Sequence, residues 1–600
     1  MNKKEKKPKK FNVNFSYLLI VLLGILLCIP LFTMSLGEYN EARIHIGRAI
    51  FTKEIMKDGI FPPFISYKNM LKFGYAINIF YGVFTTYIPI FISLFTGSSI
   101  MALKIFTVIV VIFSGITMYS LVKKITKNDK MALIASLVYM AAPYKICDIY
   151  ARNAVGEYTA FVFIPMVFQG IYELFDGDKK GNILLVAGAS LLILSHTITT
   201  IYTAIFALIF ILYNFKKTKN SEFWKQILLD ILLILLLTAF YTVPIIEHKI
   251  YGDYVIFSQE MMHSTGIDVY NNTNKIKDWF APENKTDLNF SLGLTIIILT
   301  VATIFCYKKV DEKYKDLYTT FLALSAISLI MCTKVFPWVV MPSFLTVIQF
   351  AWRMNGFFIF FISLVCGINV YILANNLIKS PRVITSVLVA MIFALAVVDT
   401  INYNTLSTYK FEDEKRYEKV LVDSEEIGPY NINRDYLPVN AAKNIKYMQE
   451  RENCTYVISG NAEIENEEKD KLTDKFDLNI NSQQENTNED NSYLQTEKIE
   501  NNSNNEVTLE LPYLYYHGYT TKVNGKKVRN YEDEKGFLTI NANENGKVEV
   551  EYTGTAAEKF AFVISILTLA TMILRKLTLT NNTQKYNKKI LFYNWLKSLG

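Results

Sequence analysis

Three residues that could do chemistry stand at helical spacing directly after the first apolar run of this 600-residue sequence: Glu41, His45 and Arg48. Residues three and four apart share one face of a helix, so their side chains should project together. A carboxylate that accepts a proton, next to cations that neutralise a phosphate, suits the catalysis of group transfer. The alternative is a charged amphipathic helix that rests on lipid headgroups and catalyses nothing.

Further candidate residues lie at the borders of other apolar runs: Arg152 and Glu157 in YARNAVGEY, His196 in LILSHTIT, and Gln349, Trp352 and Arg353 in IQFAWR. Each group has a structural alternative, namely an ion pair, a lone structural histidine, or a snorkelling arginine beside an aromatic belt. Charged side chains in or beside a bilayer are costly, and several on one membrane face favour a functional site.

The composition indicates that these residues belong to a polytopic membrane protein. Hydrophobic residues make up 51% of the sequence, the mean hydropathy is +0.21, and the apolar residues are gathered into blocks. The formal net charge is +7, but the lysines cluster in short loops between the blocks. Lysines in such loops orient a membrane protein, so no nucleic-acid partner is predicted.

The motifs of several enzyme classes are absent from the sequence. It contains no Walker loop, GxGxxG, HExxH, GxSxG or EF-hand motif, and its six cysteines stand singly, so no metal site is predicted. The cofactor stays unknown. Glu38, Glu41 and Glu157 could offer oxygen ligands to a divalent cation, although no spacing demands one.

Apolar runs of spanning length predict about twelve membrane spans, near residues 15–35, 99–123, 130–145, 157–175, 181–197, 198–214, 223–246, 289–307, 316–334, 354–376, 382–402 and 558–575. The first run is predicted to be an uncleaved signal-anchor. If residues 1–14 and 576–600 are cytoplasmic tails and residues 74–95 are juxtamembrane or re-entrant, every basic loop faces the cytoplasm. The loop 36–98 and all the polar residues named above then face outward.

Residues 403–557 differ in composition and predict a small extracytoplasmic domain. Strand-like runs occur at 507–511, 519–523, 526–529, 537–541 and 547–552. The dipeptide Asn524-Gly525 suits a type I′ turn between two of them, and a β-sandwich is expected. The low-complexity insert 461–505 is rich in Asn, Glu, Asp and Lys and predicts a flexible loop.

At this point the chain resembles a known group of proteins. The motifs, in order, are EARIHIGR, KDGIFPP with FGYAINIFYGVFTTYIP, YARNAVGEYTAFVFIP, LILSHTITT, AFYTVPIIE, VIQFAWR and the late DYLP at Asp435–Pro438. Their order resembles the 6-pyruvoyl-tetrahydropterin-synthase-related bacterial membrane proteins and the neighbouring YfhO-like family, both of the GT-C glycosyltransferase superfamily. The resemblance covers nearly the whole chain.

The resemblance implies a GT-C-like transmembrane module over residues 15–402 and a polyprenyl-phosphate-linked sugar as donor. By motif position the catalytic carboxylate is Glu41, with Glu38 as a second candidate, where the family pattern has an aspartate. His45 and Arg48 are expected to orient Glu41 or to touch the phosphate.

The resemblance also suggests substrate-binding roles, for which the expected residues are Arg152, Glu157, His196, Gln349, Trp352, Arg353 and Tyr81. The two arginines Arg152 and Arg353 would stabilise the departing lipid phosphate. Trp352 and Tyr81 would offer stacking surface to sugar or isoprenoid. The acceptor would be an envelope glycopolymer or a lipid, at the plasma membrane.

Two other classes of function stay open. A transporter of a lipid-linked glycan would bind the same phosphate without breaking a bond, although no internal repeat typical of transporters is visible. A non-catalytic envelope scaffold would depend on residues 403–557 and would tolerate substitution of the membrane charges.

Overall fold

The structure is a computed structural model that describes residues 15–33, 41–67, 69–178, 180–280, 291–376, 386, 389–398, 434–459, 462–465, 495–501, 506–543 and 546–575. The predicted candidate Glu38 and both terminal tails lie outside the described residues. The described parts of residues 15–223 and 254–453 form one compact unit, here called the helical unit. The described parts of residues 224–253 and 454–575 form a second, here called the β unit.

Helices account for most of the described chain: α1 (Phe15–Thr33), α2 (Ala42–Lys57), α3 (Ile77–Phe80), α4 (Phe84–Thr96), α5 (Ser99–Thr126), α6 (Asp129–Met140), α7 (Pro143–Tyr150), α8 (Val155–Phe175), α9 (Gly181–Ile193), α10 (Thr197–Tyr213), α11 (Ser221–Tyr251), α12 (Gly266–Asn271), α13 (Leu294–Val301), α14 (Thr303–Cys306), α15 (Glu312–Met331), α16 (Ser343–Thr346), α17 (Met354–Asn376), α18 (Val389–Val398), α19 (Val439–Lys443), α20 (Ile445–Glu450) and α21 (Ala556–Arg575).

Among the described residues, six helices are long and apolar enough to cross a membrane: α1, α5, α8, α11, the segment Ala351–Asn375 that includes α17, and α21. Helices α6 and α7 are bent by 42° and make a seventh candidate if they form one span. The bend precedes Pro143, whose missing N–H suits the first turn of a new helix. Short or interrupted helices occupy much of the remaining predicted runs, among them α9, α10, α13 and α14, so about twelve spans stays a prediction.

Two candidate spans are far more enclosed by protein than the others. In α8 and in Ala351–Asn375, 83% and 89% of the span residues are buried, against 39% in α1 and 17% in α21. Aromatic rings of the neighbouring helices fill the space around them, as when Phe168 packs 5.0 Å from Phe360 between ring centroids. Glu157 lies in the first turn of α8, and Arg353 directly precedes α17. The two central helices therefore begin at candidate site residues.

The β unit holds nine strands: β1 (Tyr456–Ser459), β2 (Ala462–Glu465), β3 (Gln495–Asn501), β4 (Val507–Leu514), β5 (Tyr519–Val523), β6 (Lys526–Val528), β7 (Asn530–Glu532), β8 (Phe537–Ala542) and β9 (Gly546–Tyr552). These are the strands of the described residues. They form two antiparallel sheets, in the orders β1-β4-β8-β7 and β2-β3-β9-β5-β6.

The predicted strands and their turn are confirmed. Asn524 and Gly525, between β5 and β6, both have positive φ values of 49° and 76°, as a type I′ turn requires. The structure differs at the two ends of the low-complexity insert, which form β2 and β3 where the sequence predicts a loop. Pairing of β3 along β9 needs only main-chain hydrogen bonds, so polar composition does not prevent it.

Candidate functional site

Arg152 is the centre of a buried charge network in the helical unit. It lies in the turn between α7 and α8, and its Nη1 donates to Oε2 of Glu157 at 2.8 Å and to Oδ1 of Asp148. The Tyr144 hydroxyl donates to the other oxygen of Glu157 at 2.5 Å. Arg152, Asp148 and Glu157 are all at most 4% exposed. Two carboxylates thus hold one guanidinium away from water.

Glu41 lies at the edge of this network and, unlike Arg152 and Glu157, is partly exposed to solvent. Its backbone N–H donates to the carbonyl of Arg152 at 3.2 Å, which fixes the start of α2 against the turn before α8. Its Oε1 lies 3.9 Å from Nη2 of Arg152. The Glu41 side chain is 32% exposed, whereas the side chains of Arg152 and Glu157 are 5% and 4% exposed. Glu41 is therefore more exposed to solvent than the two residues with which it shares the network.

The electrostatic surroundings keep Glu41 ionised. Burial acts to raise the pKa of its carboxyl, but the hydrogen bond with His45 and the charges of Arg152 and Arg353 outweigh burial and lower the pKa to about 2. A carboxylate with so low a pKa is a weak base until a bound anion offsets the arginines.

His45 lies one helical turn after Glu41 and connects it to Tyr81. The Nε2 of His45 is 3.4 Å from Oε2 of Glu41 and 3.5 Å from the Tyr81 hydroxyl. In the tautomer with a proton on Nε2 it donates to the Glu41 carboxylate, and in the other tautomer Nε2 accepts from the Tyr81 hydroxyl. Burial lowers the pKa of His45, although Glu41 acts to raise it. The ring is therefore neutral at neutral pH and can orient the carboxylate.

Arg48 shares the helical face but holds protein groups. Its guanidinium donates to Oδ1 of Asn78 at 3.0 Å and to the carbonyls of Gly82 and Tyr81 at 3.2 and 2.8 Å. The guanidinium carbon Cζ of Arg48 also lies 4.9 Å from the Tyr81 ring centroid. These contacts fasten the segment after α3 to α2, which is a positioning role. The prediction that Arg48 touches phosphate has no support in them.

Arg353 has donor capacity that the described residues leave unused. Its Nη1 donates to the carbonyl of Ile348 at 2.9 Å and to Oε1 of Gln349 at 2.8 Å. Its Nε lies 3.5 Å from Oε2 of Glu157 and is buried without a hydrogen-bond partner among the described residues. A buried N–H in this state is costly unless a ligand accepts from it.

Trp352 lies between the two arginines. The guanidinium carbons of Arg152 and Arg353 are 4.6 and 5.8 Å from its ring centroid, and its ring stacks on Phe350 at 5.0 Å. Gln349 holds Arg353 from a left-handed backbone conformation, with a φ of 63°. The contacts with Trp352, Phe350 and Gln349 fix the direction in which the Arg353 side chain points.

His196 caps α10 and borders the site. Its Nδ1 is 2.7 Å from Oγ1 of Thr199 and accepts from the Thr199 N–H at 3.4 Å. A Cβ added to Gly156 would lie 2.4 Å from the Tyr81 hydroxyl and 3.0 Å from Cδ2 of His196. Because Gly156 has no side chain, Tyr81, His196 and the start of α8 can meet.

Gly82 makes a similarly close approach, here to main-chain atoms, and provides a test of the assembly. A Cβ at this position would lie 2.5 Å from the carbonyl oxygens of Leu194 and Ser195, which are main-chain atoms that cannot rotate away. Gly82→Ala should therefore lower the thermal unfolding midpoint of the purified protein. Gly47→Ala is the matched control, since its Cβ would meet only Phe51 at 3.5 Å, and alanine in a helix should add up to about 1 kcal/mol. A Gly82→Ala midpoint equal to the wild-type value would contradict this packing.

The structure brings most of the predicted residues into one group, linked through Arg152, Glu157 and Tyr81. Sequence reasoning missed Tyr144 and Asp148. Both stand at intervals of four before Arg152 in PYKICDIYAR, so a helical face carrying Tyr144, Asp148 and Arg152 was the available signal. Among the described residues, no three side chains of His, Cys, Asp or Glu gather in a way that could hold a metal ion.

Comparison with known proteins identifies a family. Residues 79–407, more than half of the chain, match the family described as 6-pyruvoyl-tetrahydropterin synthase related domain, membrane protein. A protein of Lactococcus lactis subsp. cremoris (strain MG1363), described as uncharacterized, is 26% identical over 345 residues. That match covers 55% of each chain, so this chain spans about half the length of that relative. The family predicted from the motifs is confirmed.

Solved structures with a similar course of the chain are more distant. An arabinofuranosyltransferase from Mycobacteria has a TM-score of 0.43 and 10% identity, over 65% of this chain and 27% of that one. The oligosaccharyltransferase of Archaeoglobus fulgidus has a TM-score of 0.41 and 12% identity, over 72% and 61%. At TM-scores below 0.5 these similarities define neither fold nor activity for this chain.

Proposed function

This chain belongs to the family of membrane proteins with a 6-pyruvoyl-tetrahydropterin synthase related domain, and we propose that it is a membrane glycosyltransferase. It would use a polyprenyl-phosphate-linked sugar as donor and an envelope glycopolymer or a lipid as acceptor, at the outer face of the plasma membrane. The observation that carries this proposal is the partly exposed carboxylate of Glu41, whose Oε1 lies 3.9 Å from Nη2 of Arg152. Arg152 and Arg353 both contact Glu157, so the two arginines belong to one network.

The proposed reaction needs a general base and a group that stabilises the leaving phosphate, and different residues would supply the two. Glu41 would take the proton from an acceptor hydroxyl while that oxygen attacks the anomeric carbon of the sugar. The bond between the anomeric carbon and the phosphate oxygen breaks, its electron pair stays on the phosphate, and polyprenyl phosphate leaves. A single displacement of this kind inverts the anomeric centre.

The leaving phosphate gains one negative charge, and Arg353 is placed to stabilise it. Its buried Nε has no hydrogen-bond partner among the described residues, so an arriving phosphate oxygen would satisfy it. Arg152 would contribute charge but is already held by Asp148 and Glu157. Phosphate near both arginines would also offset their charges and raise the pKa of Glu41, which makes it a better base when the donor is bound.

The test is a mass-spectrometric comparison of envelope glycopolymers and glycolipids from four cell lines. These lack the protein, carry it, carry Glu41→Gln, or carry Glu54→Gln as a control on the same helix, where Glu54 pairs with exposed Lys57. The proposal expects one sugar decoration to disappear in the deletion and with Glu41→Gln, and to persist with Glu54→Gln. Loss in the deletion alone would favour the transporter or the scaffold and overturn the proposal.

A further inference from the structure

We propose that Tyr436 is a positioning residue of this site, which braces Tyr81 against His45. The ring of Tyr436 stacks on Phe80 with a centroid distance of 5.9 Å and an interplanar angle of 8°. It also meets the Tyr81 ring edge-on at 6.5 Å and 86°. Tyr81 in turn places its hydroxyl 3.5 Å from Nε2 of His45, so three contacts connect Tyr436 to the candidate base Glu41.

The main chain around Tyr436 is fastened inside the helical unit. The carbonyl of Leu437 accepts from the N–H of Val255 at 3.0 Å, and Tyr254 pairs with Pro438 as an antiparallel bridge. Leu437 is fully buried. The segment DYLP therefore acts as a fixed support for the ring, although it lies after the predicted membrane module in the sequence.

Tyr436 is one of the side chains that contact the Tyr81 ring. Arg48 lies over one part of the ring at 4.9 Å, and the Tyr81 main chain is held by the same guanidinium. Removing the Tyr436 ring would leave a space beside Phe80 and Tyr81 that their side chains can move into. The Tyr81 hydroxyl would then leave His45.

Release of Tyr81 would expose a histidine that is now enclosed. The His45 side chain is 3% exposed, and the groups facing it are Glu41 and Arg48 on its own helix and Tyr81 from the segment after α3. Burial is the largest cause that lowers its pKa. Admission of water would therefore raise the pKa of His45 toward the ordinary value of about 6.5.

The experiment measures this titration directly in the full-length protein in lipid nanodiscs. The chain contains five histidines, so imidazole labelling gives five signals, and His45→Gln assigns the relevant one by NMR. Tyr436→Ala should move the His45 midpoint upward, and Tyr436→Leu should move it in the same direction by less. Tyr436→Phe keeps the ring and should leave the midpoint unchanged. Met448→Ala, at another buried side chain of the segment after Asp435, is the control for general loosening.

An unchanged His45 midpoint in folded Tyr436→Ala or Tyr436→Leu protein would overturn the inference. So would an equal upward shift in Met448→Ala. The activity readout rests on the proposed function: envelope decoration should fall about tenfold or more with Tyr436→Ala and stay near wild type with Tyr436→Phe. Because the titration requires no substrate, it tests the Tyr436 contact even if Glu41→Gln leaves the envelope unchanged and the proposed function fails.

Discussion

Glu41→Gln should lower the rate of sugar transfer by about 10²–10⁴-fold, the usual contribution of a positioned general base. Glutamine keeps the shape of the side chain and can accept a hydrogen bond from Arg152, but it cannot take a proton. Since Glu41 is the exposed member of its network, the substitution leaves no buried charge unpaired. The purified variant should remain folded, and the rate should be measured against equal amounts of wild-type protein.

The matched variants make this result specific. Glu41→Asp keeps the base but withdraws it by one methylene, so it should retain part of the activity, and Glu54→Gln should retain all of it. Because the folded pKa of Glu41 is lowered to about 2, its ionised form adds stability above its unfolded pKa of about 4.3, and this is lost as the pH falls toward 2. The folding stability of the Glu41→Gln variant should therefore lack this contribution and should fall less between about pH 4.3 and about pH 2 than that of the wild type. Wild-type rates with Glu41→Gln would exclude Glu41 as the base.

Arg152→Met should be the most destabilising single substitution in the site, by about 3–5 kcal/mol. It removes the guanidinium that is the hydrogen-bond partner of Asp148 Oδ1 among the described residues and is one of two cations beside Glu157. Both carboxylates are buried. Their charges would have to be desolvated without compensation or neutralised by protons. The loss of stability is measured as the lowered midpoint of thermal unfolding in detergent, with size-exclusion chromatography as the readout of the folded fraction.

Compensating substitutions separate charge from packing in this prediction. Arg152→Met combined with Asp148→Asn and Glu157→Gln removes the uncompensated charges and should regain a large part of the lost stability. Arg353→Gln is the control and should cost less, because the hydrogen bonds of its guanidinium go to the neutral groups of Ile348 and Gln349 and because Arg152 still pairs with Glu157. If Arg152→Met unfolded at the wild-type temperature, the buried network would not be a structural centre.

Much of the architecture could be predicted because its signals are local. Runs of apolar residues long enough to span a bilayer identify α1, α5, α8, α11 and α21, and alternation with glycine turns identifies β4, β5, β6, β8 and β9. The strands β2 and β3 could not be predicted, since they lie at the ends of a polar, low-complexity insert whose composition is typical of a loop. Within the run 289–307, where apolar length predicts one span, the structure has the two short helices α13 and α14.

The site was predictable residue by residue but not as a set of contacts. Charge next to an apolar run singles out Glu41, Arg152 and Arg353, whatever they touch. Nothing in the sequence indicates that Arg48 donates hydrogen bonds to Asn78 and to two backbone carbonyls, because those partners lie some thirty residues away along the chain. Tyr436 carries no charge and stands among residues of ordinary composition, so only its ring contacts in the fold reveal it.

The hydrogen bond from the Glu41 N–H to the Arg152 carbonyl joins two segments of the main chain and involves neither side chain. The distance between the two positions is therefore a property of the backbone. Descendants of this sequence can exchange the Glu41 side chain, and with it the reactivity of the site, while inheriting the same separation from position 152. Geometry and chemistry at this point of the molecule can diverge independently during evolution.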